Sequence, residues 1–424
     1  MNMFSLIIFA CLAIRVSAGA ISAPLAATLM GVNAHTAESE GVIDELHAYG
    51  VSWIRDDIMW GPMETEPGVY NFTSWEYTMD RIRENDMGII AILNPQNPLY
   101  DGGDPVRTPE GMAAMGRWAA ALAKRWSNTT RIWWECTNEP NGNSEYQNAT
   151  LYAQLVRALG TAIHAADPDA LVVGPASENI GITTGWLRAI FEQHNEALQH
   201  FDRVTIHPYR SDGPETVAPD LARVSDLLAE YAPPWKTPMP FSNGEWGYGA
   251  GNVGGADELA RLFVRQQLIT TSVTGQASIW YQACVPSDQG VMKCTNGGAP
   301  FTPLPAMLAG QVMHNILRND GGKPGTPVDP DKGFRFVRRL PIFQNGMSTS
   351  DDWLLLFRSN DGGVLLVAWT STEFEHITRI PGVEPGACFT QTSMSGDAMP
   401  NLCHDPRGLH VNMTTSPRYL LKQR

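Results

Sequence analysis

Two stretches of this 424-residue chain decide its fold: Arg131-Ile-Trp-Trp-Glu-Cys-Thr-Asn-Glu-Pro140 and Pro240-Phe-Ser-Asn-Gly-Glu-Trp-Gly247. Each is apolar or β-prone at its start, reaches a glutamate and then breaks at Pro or Gly, which is typical of a strand with a carboxylate at its C-terminal end. The glutamates, Glu139 and Glu245, are far enough apart for several strand–helix units. In a barrel of parallel strands the C-terminal ends meet at one face, so we predict that both carboxylates share a pocket.

Strand and helix patterns alternate from residue 26 to about residue 318. Two well-marked helix predictions, Pro109–Arg125 and Asp257–Gln267, have apolar residues at helical spacing. Eight strands with intervening helices predict an α/β fold, a (β/α)8 TIM barrel, with the open doubly wound sheet as the alternative. The predicted strands are Leu29–Asn33, Val51–Ile58, Gly88–Leu93, Arg131–Cys136, Ala170–Gly174, Arg203–His207, Met239–Ser242 and Gln276–Gln282.

The helical pattern ends near Asn319–Pro327, and the chain that follows is β-like. Trp353–Phe357 and Val364–Trp369 flank an Asn-Asp-Gly-Gly turn and predict a hairpin. With the neighbouring segments they predict a small all-β, sandwich-like domain. The domain prediction is therefore a signal peptide over 1–20, a catalytic barrel over 21–325 and a β domain over 326–424.

The N-terminus predicts secretion. An apolar run, Met3–Ile14, precedes small residues with possible cleavage after Ala18 or Ala20. A membrane anchor is the alternative, but twelve apolar residues are too few to span a bilayer. The composition, 43% hydrophobic and 17% charged, is that of a globular protein. The net charge of −14 disfavours nucleic acid and anionic membranes as partners.

Five cysteines follow the predicted signal. Cys284 with Cys294 and Cys388 with Cys403 are close in sequence, so each pair predicts a disulfide bond. Cys136 lies within an apolar strand and is expected to be a buried thiol. A zinc site is the alternative, but no Cys-x-x-Cys or matched histidine spacing supports it. Four sequons would accept glycans in a eukaryotic host: Asn71, Asn128, Asn148 and Asn412.

The motifs resemble those of the retaining glycoside hydrolases of clan A, and most of all those of families 39 and 5. Asn138-Glu139-Pro140 on the fourth predicted strand and Gly244-Glu245-Trp246-Gly247 on the seventh carry the resemblance. The run Val51–Trp60, followed by Glu66–Phe72, resembles the second strand and its loop. The resemblance implies a barrel with an appended β domain that cleaves glycosidic bonds.

The resemblance also implies roles for the two glutamates. Retaining cleavage needs one carboxylic acid to protonate the leaving oxygen and one carboxylate to attack the anomeric carbon, about 5–5.5 Å apart. By similarity, Glu139 is the acid/base and Glu245 the nucleophile, and Asn138 binds the sugar 2-hydroxyl. The alternative for Asn138 and Glu139 is a capped helix start.

Other residues are expected around this pair. Arg55 lies in an apolar strand and would hold Glu245 ionised, with a structural ion pair as its alternative. By resemblance, His207 and Tyr209 lie beside the nucleophile, although a lone histidine is usually only a core residue. Trp280 is expected beneath the sugar, with ordinary core packing as the alternative. Further sugar subsites are assigned to Trp60, Trp246 and His35.

Two positions depart from common clan patterns. The third strand ends Leu93-Asn-Pro-Gln-Asn97, where many relatives have a histidine, and Gly244 stands where Thr or Ser is frequent. Gly249-Ala-Gly-Asn-Val-Gly254 matches a dinucleotide fingerprint, but no acid follows at the required distance. His35 has no His-x-His partner, so we predict neither metal nor cofactor.

Taken together, the sequence predicts a secreted, monomeric retaining β-glycosidase that acts on a neutral polysaccharide or oligosaccharide. Two alternatives remain open. A carbohydrate-binding pseudoenzyme would bind glycan without turnover, and a transglycosylase would remodel cell-wall glycan with the same residues. The fold does not determine the sugar, the linkage or exo versus endo action.

Overall fold

The structure is a computed structural model that describes residues 23–35, 41–127, 129, 131–142, 145–285, 289–295, 298–344 and 347–423. The chain forms two compact units, one over Pro24–Asp329 and one that contains Pro330–Arg424. The predicted signal peptide and the sequon at Asn128 lie outside the described residues. Among the described helices, none is both long and apolar enough to cross a membrane.

The first unit is a closed barrel of eight parallel strands. Each strand pairs with the next along the chain, and the last pairs with the first, so the open doubly wound alternative is excluded. The predicted (β/α)8 fold is therefore confirmed. The strands are β1 (Met30–Asn33), β2 (Trp53–Ile58), β3 (Gly88–Leu93), β4 (Ile132–Glu135), β5 (Leu171–Glu178), β6 (Arg203–His207), β7 (Phe241–Trp246) and β8 (Ser278–Trp280).

Helices occupy the connections between these strands. The helix predicted at Pro109–Arg125 has those bounds, because Thr108 caps it through Gly111 N and Pro109 opens it. The second predicted helix is longer than Asp257–Gln267 and continues to Thr274. The helices are α1 (Val42–Ala48), α2 (Trp60–Met63), α3 (Thr73–Glu84), α4 (Pro109–Arg125), α5 (Ala149–Ala166), α6 (Ile180–Gln193), α7 (Ala197–His200), α8 (Val217–Tyr231), α9 (Ala250–Val253), α10 (Ala256–Thr274) and α11 (Pro305–Arg318).

An apolar layer lies across several barrel strands. It includes Trp53 of β2 and Trp133 of β4, whose rings are 4.5 Å apart between centroids. Arg131 and Arg203 each lie 4.8 Å from one of these indoles, an arrangement that favours cation–π attraction. Because side chains on one face of a strand recur every second residue, Arg55 and Glu135 are the next residues on the same faces as these tryptophans.

A small sheet not predicted from the sequence follows the barrel strands. It consists of β9 (Cys284–Val285), β10 (Met292–Thr295) and β11 (Gly298–Pro303), in the order β11-β10-β9. The disulfide bond between Cys284 and Cys294 links β9 to β10. The predicted free thiol, Cys136, is buried just after β4.

The second unit is all-β. A six-stranded sheet has the order β12-β15-β16-β21-β18-β19, and β17 pairs with β20 in a separate sheet. Residues of both sheets form one apolar cluster, including Leu354, Leu366, Ile380 and Val411. The strands are β12 (Arg335–Arg339), β13 (Phe343–Gln344), β14 (Met347–Ser348), β15 (Asp352–Arg358), β16 (Val364–Thr370), β17 (His376–Ile380), β18 (Cys388–Thr392), β19 (Ala398–Cys403), β20 (Leu409–Met413) and β21 (Arg418–Lys422).

The predicted hairpin and the second predicted disulfide bond belong to this unit. β15 and β16 pair in antiparallel register from Asp352↔Thr370 to Arg358↔Val364. Cys388 and Cys403 lie directly opposite each other on β18 and β19 and are bonded. The bond therefore ties the edge strand β19 to its only partner within the six-stranded sheet.

Replacing both Cys388 and Cys403 by Ser should lower the free energy of unfolding of the C-terminal unit by about 3 kcal/mol, because the bond closes a short loop in the unfolded chain. Urea unfolding followed by tryptophan fluorescence measures this loss. A reducing agent should destabilise the parent and leave this transition of the double variant unchanged. A parent whose transition is insensitive to reduction would contradict the expectation.

Candidate active site

The two predicted glutamates meet at the C-terminal end of the barrel. Glu245 lies within β7, and Glu139 lies in the turn that follows β4. A carboxylate oxygen of Glu139, a ring nitrogen of His207 and a carboxylate oxygen of Glu245 lie within 4.8 Å of one another. The structure therefore brings together two carboxylates that the sequence separates widely.

Glu139 is held on a strained turn. Thr137 and Glu139 both have positive φ, 62° and 44°, which is uncommon for residues other than glycine. The Glu139 backbone N–H donates to the Ala176 carbonyl at 3.1 Å, and the Gly142 N–H donates to the Glu139 carbonyl at 3.0 Å. Such strain persists only where neighbouring contacts enforce it, and it is frequent at functional sites.

Glu245 is almost fully buried and receives three hydrogen bonds. Asn33 Nδ2 and Arg55 Nη1 each donate to Oε2 at 2.7 Å, and the Tyr209 hydroxyl donates to Oε1 at 2.8 Å. Burial raises the pKa of Glu245, but the charges of His207 and Arg55 and the Tyr209 hydrogen bond outweigh it and hold the pKa below its usual range. Glu245 is therefore an anion at neutral pH.

Glu139 has a different environment. About 27% of its side chain is exposed, against 10% for Glu245. The one hydrogen bond that the structure gives to its carboxylate joins Oε1 to His207 Nδ1 at 2.8 Å. His207 lies beside Glu245 as expected, and its hydrogen bond is to Glu139. The two carboxylates are thus neighbours with unequal surroundings.

Arg55 connects the barrel interior to this pair. Its Nε donates to Glu135 at 2.7 Å, its Nη1 to Glu245 at 2.7 Å and its Nη2 to Asn138 Oδ1 at 2.6 Å. Burial alone would lower the pKa of Arg55, but the charges of Glu135 and Glu245 raise it. Both interpretations of Arg55 from the sequence therefore apply, since it contacts the predicted nucleophile and also forms a buried ion pair.

The aromatic residues are arranged differently from the prediction. Trp280 is fully buried, with its Nε1 donating to the Gln289 carbonyl at 2.9 Å and its ring against Phe263. Tyr281, the next residue, is partly exposed and contacts His35 edge-on at 5.4 Å between ring centroids. Burial and the charges of the two glutamates raise the pKa of Tyr281. Of these two neighbouring aromatic residues, Tyr281 therefore lies toward the carboxylates, and Trp280 is a core residue.

Two more predicted subsite tryptophans are also core residues. Trp60 stacks between Tyr100 and Trp118, at 5.1 and 5.7 Å between ring centroids. Trp246 lies beneath the Arg210 guanidinium at 5.3 Å. Both tryptophans are fully buried and offer no exposed ring face to a sugar. We expected both at further sugar subsites, but α2 and the packing around β7 place them in the core.

His35 remains a candidate for contact with a ligand. It follows β1, and its side chain is 34% exposed, with Nδ1 3.5 Å from an Asp57 carboxylate oxygen. The hydrogen bond that His35 donates to the Asp57 carboxylate raises the pKa of His35 more than burial lowers it. His35 and Asp57 therefore form a partly exposed polar pair near Glu245.

Three residues near the carboxylates were missed. Asn33 is the last residue of β1, Glu135 is the last residue of β4, and Tyr281 follows β8. A signal existed for Glu135, because a charged residue between Trp133 and Cys136 interrupts an apolar strand, as Arg55 does. None existed for Tyr281, because strand boundaries are not predicted to within one residue.

Two clusters among the described residues have side chains that could hold a metal ion: Glu139 with His207 and Glu245, and His35 with Asp56 and Asp57. In the first, Glu245 already accepts from Arg55, Asn33 and Tyr209, so a cation and two neutral donors occupy its oxygens. The hydrogen bonds account for this cluster, and neither cluster is assigned a metal.

Comparisons with known proteins show which family and fold the chain shares. Residues 21–252, more than half of the chain, match the model of the family described as Cellulase (glycosyl hydrolase family 5). A search of curated proteins found no match.

Solved structures share the fold at low sequence identity. A family 39 glycoside hydrolase from Bacteroides cellulosilyticus WH2 is 18% identical with a TM-score of 0.74, over 94% of this chain and 82% of that one. A family 39 β-xylosidase from Caulobacter crescentus is 15% identical with a TM-score of 0.64, over 95% and 98%. A family 51 arabinofuranosidase from Xanthomonas axonopodis pv. citri is 12% identical with a TM-score of 0.62, over 95% and 97%.

Replacing Tyr209 by Phe should raise the pKa of Glu245, because the anion loses a hydrogen bond while its burial is unchanged. Carbon NMR titration of the Glu245 carboxyl group measures the change. Tyr248→Phe is the matched control, since that hydroxyl donates to the Asp212 backbone carbonyl at 2.8 Å. An equal Glu245 titration in both variants would refute this account of the low pKa.

Proposed function

The chain belongs to the cellulase family, glycosyl hydrolase family 5, and is a glycosidase that hydrolyses O-glycosyl bonds; from this premise we propose that it retains the anomeric configuration by double displacement. Glu245 is the nucleophile, and Glu139 is the acid/base. The substrate is a neutral β-linked polysaccharide or oligosaccharide.

One observation carries this proposal, the close approach of two carboxylates with unequal surroundings. Oxygens of Glu139 and Glu245 lie within 4.8 Å of each other, which fits the separation of about 5–5.5 Å in retaining enzymes and is shorter than the roughly 6.5–9.5 Å that admits an attacking water in inverting enzymes. Three donors and a lowered pKa suit Glu245 to nucleophilic attack as an anion. Partial exposure and a single histidine partner suit Glu139 to proton transfer.

In the first step, an oxygen of Glu245 attacks the anomeric carbon, and the bond to the leaving oxygen breaks as Glu139 protonates that oxygen. Positive charge develops on the sugar ring, and the nearby Glu245 carboxylate stabilises it. As Glu245 becomes an ester, its negative charge diminishes. The oxygen that does not attack keeps its own donors, which are Arg55 and Asn33 at Oε2 or Tyr209 at Oε1. The product is a glycosyl-enzyme with inverted configuration.

In the second step, Glu139 is a carboxylate and accepts a proton from water, which attacks the anomeric carbon and releases Glu245. His207, hydrogen-bonded to Glu139, orients this carboxylate in both steps. Two inversions give net retention. Asn138, whose Oδ1 accepts from Arg55, keeps its amide N–H groups available for a sugar hydroxyl.

The charges around the site support a neutral substrate. Glu135, Glu139, Glu245 and Asp57 lie near the reaction centre, while Arg55 is occupied by Glu135 and Glu245. An acidic sugar would face uncompensated negative charge in a poorly solvated pocket. The two disulfide bonds support secretion into an oxidising environment.

Substituting either carboxylate should separate the two roles. Glu139→Ala and Glu245→Ala should each lower kcat on an aryl β-glycoside by about 10³-fold or more. Azide should restore turnover in both, because it needs no general base and can enter a vacated space. It should yield the β-glycosyl azide with Glu139→Ala and the opposite anomer with Glu245→Ala.

Glu145→Gln is the matched control for this pair. Glu145 follows the same strand, but its carboxylate pairs with Arg107 at 2.8 Å on an exposed surface. It should keep parental turnover. Turnover near the parental value in either alanine variant would exclude the assignment.

The stereochemistry gives an independent measurement. Proton NMR of the first-formed sugar should show the β-anomer before mutarotation, because two displacements restore the starting configuration. First appearance of the α-anomer would exclude Glu245 as a covalent nucleophile, and would leave the assignment to family 5 intact.

A further inference from the structure

A third carboxylate, Glu135, lies beneath the catalytic pair and takes no part in the two steps above. We propose that Glu135 is a positioning residue for the nucleophile: it fixes the Arg55 guanidinium and competes with Glu245 for its charge, so that the nucleophile is ionised but incompletely neutralised. The inference rests on the proposed function of Glu245 and adds a determinant of its reactivity.

The contacts of Glu135 hold it in one orientation. Its side chain is fully buried, and its Oε2 lies 2.7 Å from both Nε and Nη2 of Arg55. Its Oε1 accepts from the Thr205 hydroxyl at 2.6 Å, and Thr205 in turn accepts from Ala176 N–H at 3.1 Å. Donors therefore meet both oxygens, as expected for an ionised carboxylate.

This pairing determines where Arg55 lies. Two of the three guanidinium nitrogens contact Glu135, so the plane of the group follows that carboxylate and Nη1 is left directed at Glu245. Without Glu135, the single contact to Glu245 and the contact to Asn138 would leave the guanidinium free to rotate. An arginine has several rotamers, and the ion pair selects the one that serves the nucleophile.

Gly244 leaves room for the Thr205 and His207 side chains beside Glu135. A Cβ at position 244 would lie 3.2 Å from Thr205 Cβ, 3.3 Å from His207 Nε2 and 3.5 Å from Glu135 Oε1. The Thr or Ser that resembling sequences often have here would crowd both His207 and the Thr205–Glu135 hydrogen bond. The glycine next to the nucleophile and the buried carboxylate are therefore two parts of one arrangement.

The consequence for Glu245 is electrostatic. Two carboxylates share one guanidinium, so the group carries a net negative charge in a poorly solvated interior. Removing the charge of Glu135 would leave Arg55 to neutralise Glu245 alone, and would make Glu245 harder to protonate and a weaker nucleophile. The other titratable groups that face Glu245 are His35, Arg55, Glu139, His207, Tyr209 and Tyr281.

Glu135→Gln tests this directly, because it removes the charge and keeps the shape. The acidic limb of the kcat/KM profile should move to lower pH by about one unit, since the anion of Glu245 gains stability. At the pH optimum, kcat/KM should fall about tenfold to hundredfold, because Arg55 is less well placed and Glu245 is less nucleophilic. Glu135→Asp keeps the charge, so its acidic limb should stay near the parental pH.

Glu64→Gln is the matched control. Glu64 is also a fully buried carboxylate with neutral donors, the Gly68 N–H at 2.7 Å and the Tyr100 hydroxyl at 2.9 Å among them. Its substitution should lower the melting temperature and leave the acidic limb in place. This separates the cost of changing a buried acid from an effect on the nucleophile.

If the folded Glu135→Gln variant has the same acidic limb in its kcat/KM profile as the parent, the proposal is overturned, even if the variant is less stable. If that variant does not fold, Thr205→Val provides the test, because it removes the hydrogen bond from Thr205 to Glu135. Glu135 should then interact more strongly with Arg55, which stabilises the Glu245 anion less, and the acidic limb should move to higher pH. An acidic limb that does not move would overturn the proposal. Failure of the proposed function gives a different result. If the Glu245→Ala variant kept its activity, Glu245 would not be the nucleophile, and the acidic limb of the parent's profile would not report its titration.

Discussion

The burial of one cation, Arg55, is the constraint on which the arrangement of the site depends. A guanidinium removed from water is tolerated only where acceptors satisfy it. Glu135, Glu245 and Asn138 supply them from β4, β7 and the turn after β4. Because these acceptors come from different strands, Arg55 ties the C-terminal ends of the barrel together. The position of Glu245, the proposed nucleophile, is thus a consequence of satisfying a buried charge.

The contrast between Glu139 and Glu245, the two proposed catalytic residues, follows from their positions in the fold. Glu245 is part of a strand whose neighbours are fixed by parallel pairing, so its donors from β1, β2 and the segment just after β6 reach it at defined distances. Glu139 lies on a turn with positive φ, is more exposed, and has His207 as the hydrogen-bond partner of its carboxylate among the described residues. In the proposed mechanism the nucleophile needs a stable charge and the acid must change protonation twice. A strand and a turn suit these requirements respectively.

The fold and the central pair could be predicted from the sequence, because both depend on regular patterns. Strand–helix alternation is repeated eight times, and a carboxylate at a strand end is visible in the sequence. The aromatic residue expected beneath the sugar could not be identified, because a shift of one residue in the end of β8 decides whether it is Trp280 or Tyr281. β8 has only three residues, and the chain leaves the strand after Trp280, so the side chain that reaches the site is Tyr281. Trp60 was misassigned for a similar reason, since α2 begins at that residue and directs it to Tyr100 and Trp118.

Glu135 was not predicted as a site residue, although the alternation of side chains along β2 and β4 indicates its position. Trp53 and Arg55 are two residues apart on β2, as Trp133 and Glu135 are on β4, so each strand presents an indole and then a charge on one face. The indoles pack together in an apolar layer, and the charges pair in the next layer. Two adjacent layers of the barrel thus contribute in different ways. The apolar layer gains stability from burial, whereas the charged layer depends on complete pairing, so that changing one charge alters the distribution of charge over all of its partners.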